Sequence, residues 1–347
     1  MKRLPPLFTI RENLNFSLLL LAFLLLTGSM LAPKPLRAEE KVAWSGYTQL
    51  RYQTDYRAES GFSVRRAKLW IHGPVPIQKN LTFKVQAIFH AKNHGALDLQ
   101  DVFGEYRFRF AALRFGQMVP DFSLQRHQPD FVIPPVERGK IIQNLIPSAE
   151  TGARDIGLLL MLHSGGNNLN SSFGVFNGNG GNQVKNEDTN FLFTHRTRLQ
   201  IALAQDISLT PGFSLGYRKT NGLAFKKITG SSNLFSGRDW RWGAELHLSG
   251  RRWEIQSEYL TVNLADDRAE GFYILGDWYF SPKNQLVLST EKYQDLSAKT
   301  DDSPWYILGL NHYFAGDKAK LMFDSRFQFT ETETNYLTTL QIQLFFN

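Results

Sequence analysis

The 347-residue chain has no cysteine, 13% aromatic residues and a formal charge of +7. Without thiols it can hold neither a disulfide framework nor a thiolate metal site. Much of the charge sits at the start: setting aside Lys2, Arg3, Arg11, Lys34 and Arg37 with Glu12 leaves 34 basic and 31 acidic residues, so bulk charge gives little reason to expect a nucleic-acid partner.

The first 38 residues have the layout of a cleaved secretory signal: a basic start, the apolar run Leu18 to Leu26, and Leu36-Arg37-Ala38 before Glu39 and Glu40. The run is about nine residues against the roughly 20 that a spanning helix needs. Extending it to Ala32 would leave room for an anchor, but the layout favours cleavage after Ala38. Beyond it no long apolar stretch recurs, and the mean hydropathy is negative although aromatic residues are abundant. An exported chain of this kind is either soluble or a β-barrel, in which only alternate residues need to be apolar.

From residue 41 onward, alternation over about ten residues between turn-forming clusters repeats along the chain. In chain order it predicts strands at 42–56, 61–73, 81–91, 98–110 and 112–117. After a break it predicts 154–163, 169–177, 190–204, 208–220, 238–249, 252–264, 270–280, 284–293, 303–314, 320–330 and 335–346. Sixteen is an even count, as a single-chain bacterial barrel has. The last strand shows the logic: Leu340, Ile342, Leu344 and Phe346 share one face, Gln341 and Gln343 the other. A terminal aromatic at Phe346, followed only by Asn347, fits a barrel's closing strand. A soluble propeller or sandwich would place polar residues outside, and no fixed-period repeat is visible.

Residues 118–150 interrupt the period, with Pro120, Pro129, Pro134, Pro135 and Pro147 among Asp121, Arg126, His127, Glu137, Arg138 and Lys140. A segment this long without alternation is expected to be functional. Falling after the fifth strand, it is placed as the third outer loop, either folded into the lumen or lying as a surface loop.

Taking the polar face of each strand as lumenal, its cations are Arg51, Arg66, Lys68, Lys84, Arg107, Arg109, Arg114, Arg196, Arg198, Arg218, Arg241, Arg252 and Arg326. Its acids are Asp55, Asp101, Glu105, Glu245, Glu254, Glu258, Asp277, Glu291 and Asp324. Cationic rings favour anions where a channel narrows. Against this, any single arginine is expected to pair with a wall carboxylate, such as Arg241 with Glu245 or Arg252 with Glu254 or Glu258. Arg66 with Lys68, Arg196 with Arg198, and the loop residues Arg126, Arg138 and Lys140 lack such a same-face acid and are the better solute contacts.

Catalysis has little support: the eight histidines show no metal-ligand spacing, and no nucleophile elbow is present. Gly178-Asn179-Gly180-Gly181 lacks the strand and helix context of a phosphate-binding loop and is expected to form turns.

Five segments together resemble the phosphate-selective porin O and P family: Gly46-Tyr-Thr-Gln-Leu-Arg-Tyr52, Val64-Arg-Arg-Ala-Lys-Leu-Trp-Ile-His-Gly73, Arg114-Phe-Gly-Gln-Met-Val-Pro-Asp-Phe122, Ala153-Arg-Asp-Ile-Gly157 and Phe173-Gly-Val-Phe-Asn-Gly178. The resemblance implies a sixteen-stranded antiparallel transmembrane barrel in the outer membrane of a Gram-negative cell. It also implies a homotrimer, a constriction loop and an arginine ladder passing anions such as phosphate or polyphosphate. Met118 and Asp121 depart from that pattern, where a lysine and an aromatic are expected.

The sequence thus leads to a signal peptide at 1–38 and a barrel domain at 39–347, in contact with outer-membrane lipid and small anionic solutes, without cofactor and without enzymatic activity. The expected lumenal residues are Arg66, Lys68, Arg107, Arg109, Arg114, Arg126, Arg138, Lys140, Arg196, Arg198, Arg218 and Arg326. Three alternatives stay open: a general non-selective porin, a plugged barrel serving as an adhesion scaffold, and, more remotely, a barrel hydrolase.

Overall fold

The computed structural model describes residues 41–89, 97–166, 168–183, 185–186, 189–297 and 302–347. The expected signal segment lies outside them. The chain forms one closed antiparallel sheet of sixteen strands.

In order these are β1 (Ala43–Thr54), β2 (Ser60–Val75), β3 (Gln78–Phe89), β4 (Leu97–Arg107), β5 (Ala111–Met118), β6 (Asp155–His163), β7 (Leu169–Phe176) and β8. Strand β8 runs in two stretches, Leu192–Leu199 and Ile201–Ala204, both paired with β9. Then follow β9 (Ile207–Ala224), β10 (Leu234–Ser249), β11 (Trp253–Leu264), β12 (Asp267–Ser281), β13 (Asn284–Gln294), β14 (Trp305–Tyr313), β15 (Ala319–Phe329) and β16 (Thr334–Phe346).

All sixteen expected strands are present, and two details differ. The eighth is not continuous: Gln200 turns its N–H to the carbonyl of Asn168, 2.7 Å away. Arg109 and Arg252, expected on strand faces, stand in the short turns before β5 and β11.

Closure is made by β1 and β16, in register from Gly46 opposite Phe346 to Thr54 opposite Thr338. The Phe346 ring occupies the space that a side chain at residue 46 would need, which is why a glycine stands there. The two end strands thereby pair with each other and leave no open sheet edge, as a hydrocarbon surround demands.

The faces are inverted relative to a soluble protein. Leu340 and Leu344 are 44% and 39% exposed, while Gln341 and Gln343 between them are fully buried. No helix among the described residues is long and apolar enough to cross a membrane. The barrel crosses with strands whose apolar side chains point out and whose polar ones point in.

Connections from odd to even strands gather at one end, and among them residues 119–154 form the longest described. They contain the short helices α1 (Leu124–His127) and α2 (Lys140–Asn144) and a 3₁₀ turn at Ala149–Thr151. Ser123 caps α1, its hydroxyl accepting the Arg126 N–H at 3.2 Å. The prolines between these pieces prevent a longer helix.

Candidate functional site

The 119–154 segment makes its contacts with inward-facing strand residues on both sides of the barrel. On one side the contact is apolar. Ile141, Ile142, Leu145, Ile146 and Ala149 pack into one buried cluster with Leu260, Val262 and Leu264 of β11, Ala269, Tyr273 and Leu275 of β12, and Val287 of β13. These wall positions face inward, so the lumenal face, expected to be polar, is apolar at the positions where this cluster covers it. Burying several aliphatic side chains at ~25 cal/mol per Å² is a stronger tether than isolated exposed ion pairs would be.

Hydrogen bonds from the wall then fix the segment's backbone. Glu258 accepts the N–H groups of Leu124 and Gln125 at 3.0 and 2.8 Å, a carboxylate on the first turn of α1. Glu291 accepts the N–H of Lys140 at 2.7 Å and Asp324 that of Val136 at 3.1 Å. Arg241 donates to the carbonyls of Leu145 and Ile146, Asn311 to that of Pro134, and Gln343 to that of Phe131.

On the opposite side the contact is ionic. Glu137 lies 2.8 Å from Arg51 and 3.0 Å from Arg66, and also pairs with Arg65. Asp130 lies 3.0 Å from Arg66 and pairs with Lys68 and Arg138. Burial pushes the Glu137 carboxyl up, but Arg66, Arg65 and Arg51 outweigh it and hold the group well below the usual carboxylate range.

Two cavities remain between this segment and the β1–β5 wall. One, of 260 Å³, is bounded by Arg65, Arg66, Gln100, Glu137, Gln143, Gly152 and Lys227, the last on the outer helix α3 (Lys226–Thr229). The other, of 400 Å³, is bounded by Tyr47, Trp70, Lys84, Asp101, Phe103, Arg114 and Phe131. Both are lined by Lys68, Arg126, Asp130, Arg138 and Arg154, which form a neck between them. Along the two cavities the cations are Arg65, Arg66, Lys68, Lys84, Arg114, Arg126, Arg138, Arg154 and Lys227, and the acids only Asp101, Asp130 and Glu137.

Arg126 differs from its neighbours. It donates to the Ala153 carbonyl at 3.1 Å, its Nε has no partner, and no carboxylate is within ion-pair distance among the described residues. Burial pushes its pKa down, and the adjacent Arg154 and Arg66 add to this against the pull of Asp101. Arg138 is lowered in the same sense by burial, then by Arg126 and Arg66. Crowded, desolvated guanidinium groups of this kind are relieved by an anion placed between them.

Residues 40–335 match the phosphate-selective porin O and P family. The chain belongs to that family. Its fold is similar to solved outer-membrane proteins at low identity. Salmonella typhi OmpF in complex with daunomycin gives a TM-score of 0.64 at 12% identity, covering 88% of this chain and 98% of that one. In-vitro folded Vibrio cholerae OmpT gives 0.62 at 8%, covering 90% and 100%. A Rh. blastica porin mutant gives 0.58 at 11%, covering 88% and 100%. No curated protein matches the sequence. Family and fold together make the protein an outer-membrane porin.

Within this porin the twelve expected lumenal residues separate into groups. Arg66, Lys68, Arg114, Arg126 and Arg138 line the cavities. Arg107 borders them through Glu105, which it shares with Arg114. Arg196, Arg218 and Arg326 instead hold structure: Arg196 bridges Asp121 and Glu245, Arg218 binds Asp239 and the Gly178 carbonyl, and Arg326 binds Asp324. The Lys140 ammonium lies 4.6 Å over the Trp305 ring, Arg198 lines neither cavity, and Arg109 stacks on Phe110 in its turn.

The expected pairings of Arg241 and Arg252 are corrected, as are the settings of five further charged residues. Arg241 pairs with Asp239, leaving Glu245 to Arg196. Arg252 pairs with neither acid: Glu254 takes His247 at 3.1 Å, and Glu258 takes the α1 backbone. Arg66, Lys68, Arg138 and Arg196, expected to lack a same-face acid, are paired all the same: Asp130 and Glu137 of the long segment meet Arg66, Asp130 meets Lys68 and Arg138, and Arg196 takes both Asp121 of that segment and the wall acid Glu245. Asp55 caps the β1–β2 turn through its own backbone neighbours rather than facing the lumen.

Arg65, Arg154 and Lys227 also line the cavities, although none is among the twelve expected residues. Arg65 and Arg154 both stand in quoted family segments, Arg154 immediately before β6, and could have been found there. Arg65 is the extra residue of a bulge in β2, and Lys227 reaches in from another connection, so alternation gives no signal for either.

Proposed function

We propose that this porin passes small inorganic anions of the phosphate class by passive diffusion, through the neck formed by Lys68, Arg126, Arg138 and Arg154 beside Asp130. The observation that carries the reading is the nine-to-three excess of cationic over acidic residues along the two cavities. It is much steeper than the near balance of the whole mature chain. At such a constriction the field of fixed cations concentrates anions and excludes cations, and guanidinium groups can replace part of a phosphate's hydration.

In this reading the long segment is the constriction loop, and Asp130 and Glu137 tie it to the arginine-bearing wall. The protein acts as a channel with no catalytic role and no cofactor. The mature domain begins at residue 39 after signal cleavage. Assembly as a homotrimer is supported by the relative described as the trimer form of Vibrio cholerae OmpT.

Reversal potentials in planar bilayers under a KCl gradient test the proposal. Chloride preference, with phosphate blocking the current at lower concentration than sulfate, is expected. Equal permeability would make the protein a general porin. Absence of conductance would leave the plugged-scaffold alternative.

A further inference from the structure

The outward faces of the strands are nearly free of charge, with one exception. Among the described residues, the register places five charged strand residues outward: Lys219 of β9, Arg238 of β10, Arg268 and Glu270 of β12, and Lys292 of β13. All five lie toward the same barrel end, that of the long connections. Lys219 and Arg238 are direct partners, Arg268 faces Asn263, and Lys292 faces Phe272. At ~4.8 Å between strands, the four cations spread over about 19 Å of the circumference. Glu270 is taken up by Arg268 at 2.6 Å and by the Tyr259 hydroxyl at 2.5 Å, whereas Lys219, Arg238 and Lys292 have no carboxylate partner among the described residues.

Two further features occupy the same flank. Outward aromatics lie just inside the cations along the strands: Tyr217 packs with Trp240 at 5.7 Å and Trp242 with Tyr259 at 5.2 Å. Aromatics of this kind mark the headgroup level of a bilayer. Below them an apolar outward groove of 400 Å³ is bounded by Phe173, Val175, Phe193, Leu215, Tyr217 and Trp240.

We propose that this flank binds a multiply phosphorylated lipid of the outer leaflet. Lys219 with Arg238 form one phosphate subsite, Arg268 and Lys292 on the neighbouring strands β12 and β13 offer a second, and an acyl chain lies in the groove beneath Lys219 and Arg238. Permeant anions in the lumen cannot reach these side chains, which face away from it. The apolar groove directly below Lys219 and Arg238 favours a lipid over free phosphate, and basic residues at the membrane surface attract anionic headgroups.

The test uses the full-length mature protein in detergent, with native mass spectrometry of bound bisphosphorylated lipid A, its dephosphorylated form and inorganic phosphate. Retention of the bisphosphorylated form and not the dephosphorylated form is expected. K219Q/R238Q and R268Q/K292Q should each weaken it about tenfold or more, with ion selectivity unchanged. Heat-modifiable gel migration verifies folding, and the charge-conserving K219R/R238K should restore binding. Undiminished lipid A binding by the fourfold variant overturns the proposal. So does displacement of the lipid by inorganic phosphate alone, which would indicate a free-phosphate site. Loss of the oligomer with lipid retained would also overturn it and assign the flank to contact between copies.

Discussion

Replacing Arg126 by glutamine is the sharpest test of the neck, because it removes a charge without breaking an ion pair. A unit charge roughly 7 Å from a permeant ion contributes ~0.6 kcal/mol in water. At 0.1 M salt, with a Debye length of ~10 Å, about half of this survives. The effect has opposite sign for anion and cation, so the permeability ratio should fall by about a factor of three. At 1 M salt, where the Debye length is ~3 Å, the difference should nearly vanish. Arg126 is half-buried beside Arg154 and Arg66 with its Nε unpartnered, so Arg126→Gln should leave thermal stability equal or higher. The assay is the reversal potential of wild type and variant in tenfold KCl gradients at low and high salt, with heat-modifiable migration for stability. An unchanged ratio at low salt would refute the placement of Arg126 on the ion path. A large loss of stability would refute its description as an electrostatically strained group.

Arg66→Ala removes a buried partner of both Asp130 and Glu137, which typically costs about 3–5 kcal/mol; it should lower the unfolding midpoint in urea, reduce anion selectivity and add gating noise to single-channel traces. Arg138→Ala should likewise weaken selectivity, and unchanged selectivity in both would move the anion path elsewhere. Leu145→Ala, cutting into the fully buried apolar tether, costs ~2–5 kcal/mol at such sites; loosening of the segment should raise single-channel conductance, and equal conductance would count against the tether. For Glu137 the folded pKa is depressed, so its stabilising contribution is fully present above the unfolded value of ~4.3 and is lost only as pH falls through the lower folded value. The stability gap between wild type and Glu137→Gln should therefore persist at pH 5 and narrow only in stronger acid, as thermal melts at pH 7, 5 and 3 would record.

The sequence by itself determined the barrel. Alternation is a local property: in Leu340 to Phe346 each side chain's face follows from its position in the strand, so sixteen strands and most of their inward and outward residues could be read without any knowledge of contacts, the exceptions being at strand ends such as Asp55, Arg109 and Arg252. The interruption by five prolines between residues 118 and 150 likewise marked the long segment. Pairing depended instead on the tertiary structure, because it joins residues far apart in sequence. Nothing near Arg66 or Lys68 announces that Asp130 and Glu137 will reach them, or that Glu245 belongs to Arg196 rather than Arg241. Nor does the pattern of β11 explain why Leu260, Val262 and Leu264 are apolar on an inward face. Their reason is the packing of Ile141, Ile142 and Leu145 against them, which leaves the cation-lined cavities on the opposite side of the barrel.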